Sequence, residues 1–454
     1  MKPILVGWVS QGLNPSYVPR PNDQNFGNDG RGGGVLLLGG HAVKTDPIDL
    51  SHIRDVVEQC ESCLRPVKDA EILPADAYVS DKFWEFEKQE IFGREWLAIG
   101  HVNEVPRPGD HIPLTVNDES VVVVRDDDGT VRVLSSICQH RGHPLIGGVV
   151  DAPAPGTCLS ARRLVCPYHN WVYGLDGRLV GAPSMGETTP IAELRQNVRL
   201  PEIRSEIFHG LIFVTFNKDA RPVAESLGKL DREFANYGLE NLVPGYVFAQ
   251  TDQPWNWKLH HENALEPYHT DYVHKGFHTA VPAELTQFRD FEVGDGQIMR
   301  TTGFAKAGGD LFEESGSRRL PDIEGLTNEQ RGRVFFTSIM PCVVAVLQPS
   351  FVTITFLNPL SAGRVNLRRL NLYSKAATQV PDFDRIRVEQ FEHMKTIIMQ
   401  DQVTQAALQV AYRSRFAPRG RLSQLETAIT QLNHWVIDKY RRGLARETAE
   451  IKTA

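Results

Sequence analysis

Two short stretches, CQH at 138–140 and CPYH at 166–169, each set a cysteine just before a histidine. Together Cys138, His140, Cys166 and His169 offer two thiolates and two imidazoles. Such a set suits a [2Fe–2S] centre in which two cysteines hold one iron and two histidines the other. Neutral imidazoles in place of thiolates lower the negative charge on the cluster and raise its potential. The same side chains could close a tetrahedral zinc site. The spacing alone leaves both open.

A second constellation lies in WNWKLHHENALEPYHTDYVHKGFH, residues 255–278, where Glu266, His269 and His274 form an ExxHxxxxH pattern. On a helix, positions 266 and 269 share a face, so the carboxylate can hydrogen-bond the imidazole beside it. His274 needs a helix end or a widened turn to point back. Two histidines and one carboxylate on one side of Fe(II) leave the opposite positions open for oxygen and substrate. Asp401 is the acid expected to complete the set. The helical stripe at 384–412 runs Phe391, Met394, Ile398, Asp401, Thr404/Gln405, Leu408, so the acid falls where a core residue belongs. An unpaired carboxylate there costs several kcal/mol, and a bound metal removes that cost. An exposed or salt-bridged aspartate on an imperfect stripe is the alternative. Asp382 and Asp384, next to Pro381, read as N-cap residues.

These sites need elements to hold them. Residues 1 to about 50 have little periodicity, and their GRGGG run lacks the GxGxxG spacing of a dinucleotide fingerprint. DKFWEFEKQEIFGREW (81–96) has helical spacing. Residues 97 to about 182 are short β-like segments broken by turns, as in a small sandwich or barrel. Longer β runs occupy 331–375, and helical spacing returns at 384–412 and 423–442. The 454 residues have 41% hydrophobic and 23% charged content, which fits one or two globular domains. A net charge of −7 argues against a nucleic-acid partner. No apolar run approaches the roughly 20 residues of a membrane span. MKPILVGWVSQGLNP lacks the apolar core and cleavage site of a secretory leader. A cytoplasmic location is expected, where six sparse cysteines bind metal or do redox work rather than form a disulfide framework.

CQHRG followed by CPYHNWVYGLDGRL resembles the CxHRG…CPYHGWxYxLDGxL pattern of the Rieske non-heme iron oxygenases. NWKxxxENxxExYHxxxxH and QDQVTQAALQ resemble the mononuclear-iron segments of the same family, in the same order, over roughly residues 75–446. Asn170 stands where the family usually has Gly, and Gln400 where it usually has Glu. The gap between His140 and Cys166 is long, and its surplus VDAPAPGTCLSA, containing Cys158, reads as a surface excursion with a spectator thiol.

The resemblance implies an α+β protein: a small all-β Rieske [2Fe–2S] domain and a helix-grip catalytic domain with an antiparallel sheet. The expected layout is an N-terminal extension at 1–70, a helical lead-in at 71–94, the cluster domain at 95–204 and the catalytic domain at 205–446. It assigns Cys138, His140, Cys166 and His169 to the cluster, and His269, His274 and Asp401 to a mononuclear Fe(II). Glu266 and Asn263 are the accompanying catalytic residues, Glu266 linking His269 to His169 of a neighbouring subunit. That bridge implies a head-to-tail homotrimer, alone or as α3β3. Tyr268 is expected to support or pack, His260 and His261 to be structural, and His278 to lie near the pocket mouth.

The implied activity is that of a terminal oxygenase, hydroxylating, dihydroxylating or demethylating a small aromatic compound or quaternary amine with O2. No nicotinamide or flavin site is legible, so electrons must come from a separate NAD(P)H-dependent reductase, directly or through a ferredoxin. The Glu bridge and the QD ending lean toward the quaternary-amine branch, for which Trp255, Trp257, Tyr268, Tyr272 and Phe277 are candidate cage aromatics. A Rieske electron carrier without oxygenase chemistry is the alternative.

Overall fold

The computed structural model describes residues 35–38, 41–44, 50–146, 156–274, 279–309, 311–312 and 319–453. Residues 1–47 form one unit, whose described part is a hairpin pairing Val35–Leu38 with His41–Lys44. The rest of the expected extension, from residue 48 on, belongs to the second unit. Helix α1 (Leu50–Gln59) and the tight turn Cys60–Leu64 bury Ile53, Val56, Val57, Cys60 and Cys63 in the main core, so the second unit is structured well before residue 70. Helix α2 (Asp81–Glu87) is capped by the Ser80 hydroxyl, which accepts from the Phe83 amide, and runs on into a widened turn at Lys88–Phe92.

The cluster region is made of small antiparallel sheets. Val131–Ser135, Glu119–Arg125, Asp110–Val116 and Leu159–Ser160 pair in that order, and Leu179–Gly181, Val172–Tyr173 and Leu164–Val165 form a second sheet. Their shared core holds Val122, Val124, Leu134, Trp171, Tyr173 and Leu179, together with Cys138 and Cys166. A third sheet pairs Ser205–Phe208 with Leu211–Val214 and that strand with Leu97–His101. It straddles residue 204, the expected domain boundary.

The larger domain is built on a seven-stranded antiparallel sheet. Its strands are β1 (Val243–Gln253), β2 (Thr286–Phe288), β3 (Gln297–Gly303), β4 (Arg333–Ile339), β5 (Val343–Leu347), β6 (Phe351–Ser361) and β7 (Arg364–Tyr373), in the spatial order β1-β7-β6-β5-β4-β3-β2. Among its helices are α3 (Trp257–Leu265), the single turn α4 (Thr270–Val273), the 29-residue α5 (Phe383–Ala411) and α6 (Thr427–Thr453). Tyr246 and Phe248 of β1 meet Phe391 of α5 at ring separations of 4.1 and 5.2 Å, which docks the long helix on the sheet edge.

The start of α3 is fixed on every side. Asn256 is its N-cap, accepting from the Lys258 amide, while its own amide group donates to Ala362 O and Tyr78 O. Gln409 Oε1 of α5 accepts from Asn256 N at 2.8 Å. The helix stops where the sequence says it must. Pro267 disfavours helical backbone at the residue before it, and Glu266 is extended at φ −106, ψ 135. Glu266, His269 and His274 therefore do not lie on one continuous helix, contrary to the expectation from i, i+3 spacing. The chain bends after Glu266, makes one turn and presents His274 just past α4.

The stripe expected on α5 is also different. Gln405 and Gln409 are the buried residues after Asp401, whereas Leu408, Val403 and Val410 are exposed. The face turned to α3 is polar because its partners are Asn256 and Asn263. Asp382 does precede α5, but it sits in the left-handed region and makes no side-chain cap bond.

Candidate metal centres

The two cluster loops close in the same way. Gly142 N donates to Cys138 O at 3.0 Å, and Asn170 N donates to Cys166 O at 3.0 Å. Both closing residues have positive φ, +74° at Gly142 and +56° at Asn170. A glycine is the ordinary occupant of such a position, and asparagine is among the side chains that tolerate it best. The departure at Asn170 thus keeps the turn.

The loops bring all four expected ligands together. Cys138 and Cys166 are buried free thiols. The His140 and His169 rings lie 4.7 Å apart, and His140 stacks flat on Trp171. Nδ1 of each histidine is buried without a hydrogen-bond partner. Two orphaned ring nitrogens on the same loops as two buried thiols are costly unless something ligates them, and they suit a cluster with one iron on sulfur and one on nitrogen. The Tyr173 hydroxyl lies 3.3 Å from Cys138 Sγ and accepts from Gln139 N, so a hydroxyl dipole is already aimed at a cluster sulfur position. Beside them Tyr168 is exposed, its ring 3.7 Å from that of His169. Cys158 is exposed and apart from this set.

The second centre joins α3, α4 and α5. One donor atom each from His269, His274 and Asp401 lies within 4.8 Å of the others, the one such group of three among the described residues. Asp401 Oδ1 is 2.9 Å from His274 Nε2 and 3.4 Å from His269 Nε2. The far ring nitrogens are held from behind. His269 Nδ1 meets Glu266 Oε1 at 2.5 Å while Glu266 Oε2 accepts from the His269 amide, and His274 Nδ1 meets Gln400 Oε1 at 2.9 Å. Each imidazole is thereby set to direct Nε2 inward, as ligating histidines require.

The electrostatics favour positive charge at the centre. Burial opposes a protonated His269, but the hydrogen bonds it donates to Asp401 and Glu266 outweigh that and push the group up to about 9. Burial likewise opposes an ionised Asp401, yet the two histidines hold its carboxyl well below the usual range. A divalent metal fits where protons otherwise balance these groups. Two guanidiniums flank the site. Arg300 donates to Ala264 O near the end of α3, and Arg369 bonds Gln250; neither makes an ion pair among the described residues. Burial lowers them to about 9 and about 10.

Asn263 belongs to the site. Its Nδ2 donates to Asp401 Oδ1 at 3.3 Å and lies 3.5 Å from His269 Nε2. His260 and His261 are buried, with burial pulling them down to about 3 and about 4; His261 bonds Ser338 and Pro341 O and is structural. His278 and Phe277 lie outside the described residues. The other cage candidates do not converge. Trp255 and Trp257 are in the core, while Tyr268 and Tyr272 are 45% and 71% exposed. Sequence reasoning missed Gln405, whose signal was its place one turn after Asp401 in the run Asp401, Gln405, Gln409.

A β domain with two Cys/His loops, followed by a helix-and-sheet domain that brings two histidines and one carboxylate together, is the arrangement expected of a terminal oxygenase. Residues 95–199 match the Rieske [2Fe–2S] domain, and residues 239–442 match the catalytic domain of the ring-hydroxylating α subunit. The chain is 27% identical over 304 residues to a carnitine monooxygenase oxygenase subunit of Acinetobacter pittii, covering 66% of this chain and 75% of that one. It is 32% identical over 207 residues to a glycine betaine monooxygenase oxygenase subunit of Chromohalobacter salexigens, covering 44% and 43%. Its fold matches the quaternary ammonium Rieske monooxygenase CntA at TM-score 0.69 and 21% identity over 84% of this chain and 98% of that one. It also matches naphthalene 1,2-dioxygenase from Rhodococcus sp. at TM-score 0.70 and 18% identity over 87% and 98%.

The chain belongs to the Rieske non-heme iron oxygenases, as an oxygenase α subunit. It is a mono- or dioxygenase component with a Rieske [2Fe–2S] cluster and a mononuclear iron, acting on a small molecule with electrons from a reductase. Among the described residues no helix is long and apolar enough to cross a membrane.

Proposed function

We propose that Cys138, His140, Cys166 and His169 hold the cluster, that His269, His274 and Asp401 hold the Fe(II), and that the substrate is a quaternary amine. The convergence of three metal-competent donor atoms on one point carries the reading. When bound, the cluster supplies electrons singly and the mononuclear Fe(II) supplies the reducing site for dioxygen. Glu266 and Gln400 fix the two imidazoles, Asn263 gives Asp401 a donor, and Tyr173 places a hydroxyl beside Cys138 Sγ.

Glu266 also serves as the link to His169 of the partner subunit in a head-to-tail homotrimer, the closed ring that a heterologous interface generates. Exposed Tyr168 beside one centre and exposed Tyr268 and Tyr272 beside the other support such a contact. Electrons arrive from the reductase directly or through a ferredoxin, in the cytoplasm. The amine assignment rests on the carnitine and glycine betaine relatives. An aromatic substrate is the rival, because a 2,4-dinitrotoluene dioxygenase component of Burkholderia sp. is 33% identical over 205 residues. An electron carrier alone would leave the second centre idle.

Metal and sulfide analysis tests the centres. The purified trimer should carry about three irons and two acid-labile sulfides per chain, and Asp401→Ala should lose one iron while keeping the reddish-brown cluster absorption. Bleaching of both would show that the acid is misassigned. Reductase-coupled O2 uptake should rise with betaines and carnitine and stay at background with aromatic acids; the reverse order would replace the amine reading.

A further inference from the structure

Asp401 Oδ1 is a crowded acceptor. His274 Nε2, His269 Nε2 and Asn263 Nδ2 all lie within 3.4 Å of it. An ionised carboxylate can only accept, so the amide of Asn263 must turn its nitrogen toward Asp401. Its carbonyl oxygen then faces the other way, where Gln405 Nε2 donates to Asn263 Oδ1 at 3.0 Å. Gln405 is 1% exposed and sits one helical turn beyond Asp401 on α5. The order of donors and acceptors therefore runs in one direction, from Gln405 to Asn263 to Asp401.

We infer that Gln405 is a positioning residue for the mononuclear centre, setting the orientation of the Asn263 amide so that a donor, and not an acceptor, faces Asp401. An asparagine amide has nearly the same shape after a half-turn about its last bond. Only its hydrogen-bond partners distinguish the two states. A flipped Asn263 would set its oxygen against the Asp401 carboxylate in a site largely closed to water, and would turn the aspartate away from the inner nitrogens of the histidines. The buried Gln405 donor makes that flip unfavourable. It thus acts on the ligand through two hydrogen bonds without touching the metal position.

The inference rests on the reading of His269, His274 and Asp401 as iron ligands. Its test uses the full-length protein with its cluster intact, and Fe(II) as the probe. Fe(II) affinity of the mononuclear centre is measured by competition with a chromophoric chelator, the geometry by electron paramagnetic resonance of the nitric oxide complex, and folding by melting temperature.

Gln405→Glu replaces the donor by an acceptor at constant shape, leaving Asn263 between two carboxylates that both demand its nitrogen. It should bind Fe(II) about tenfold more weakly or worse and shift the resonance, although an added negative charge by itself favours cation binding. Gln405→Met, neutral and of similar length, should also weaken binding. Val403→Glu places the same charge on the same helix at a residue 73% exposed, and should bind as the unaltered protein does. If both Gln405 variants hold Fe(II) as tightly as the unaltered protein with the same resonance, or if Val403→Glu weakens binding as much as Gln405→Glu, the positioning role is overturned. Absence of chelatable Fe(II) from the unaltered protein with an intact cluster would overturn the ligand assignment itself.

Discussion

Lys258 Nζ lies 2.7 Å from Glu87 Oε1, and both side chains are sealed from solvent. The Tyr440 hydroxyl and the Trp257 indole donate to the same carboxylate, so α2, α3 and α6 meet at one charge. Lys258→Met leaves that charge buried without its cation, which costs about 3–5 kcal/mol. Thermal melting should show a large drop, while Met substitution of the solvent-exposed Lys82 on α2 changes little. Equal melting temperatures for the two variants would count against the pair as an anchor of the α3 start.

Asn170 tests how the cluster loop is held. Asn170→Gly should keep full cluster content, since glycine adopts φ +56° freely. Asn170→Val forces a β-branched side chain into the left-handed region and should lower cluster iron and sulfide while leaving the Fe(II) centre loaded. The cluster absorption per chain measures the difference.

Gln400 meets His274 Nδ1 at 2.9 Å. Gln400→Met removes the acceptor, and Fe(II) affinity should fall by up to about tenfold. Gln400→Glu keeps an acceptor and makes it charged, so affinity should hold or rise. A chelator competition series reads both, and a fall in both variants would remove the acceptor role.

Glu262, hydrogen-bonded to the Tyr78 hydroxyl at 2.6 Å, gives a pH dependence. Burial raises it to about 7, against the opposing pull of Tyr78 and Lys258. Between its unfolded value near 4.5 and about 7 the folded protein holds a proton that the unfolded chain has lost. Stability from this group is therefore full below about 4.5 and declines as pH rises to about 7, by roughly 1–3 kcal/mol. Glu262→Gln cannot ionise, so its melting temperature relative to the unaltered protein should rise from pH 5 to pH 7.5. A constant difference would show that Glu262 is ionised throughout.

Much of this was legible in the sequence because ligands must be particular residue types at particular places. Cys138, His140, Cys166 and His169 sit in turns whose closure depends on neighbours in the chain. Asp401 stood out as an acid on an otherwise apolar register. What was not legible depends on contacts between distant segments. The break after Glu266 was written in Pro267, but the spacing of Glu266 and His269 suited a helix equally well. Gln405 read as one more position on the stripe, and Gln409 carried no reading of its own, until α3 lay against them with Asn263 and Asn256. Leu408, expected on that stripe, is exposed instead. Trp255 and Trp257, read as cage candidates, fill the interior because an aromatic residue by itself does not tell a pocket wall from packing.

The bend at Pro267 places both histidines on a short segment, whereas the aspartate rides on a long helix 138 positions away from Asn263 in the chain. A metal shared between them is consequently a clasp as well as a reagent. Stripping it while sparing the cluster should let these two parts breathe, and hydrogen exchange ought to quicken along residues 257–274 and the middle of α5 sooner than anywhere in the β-rich half.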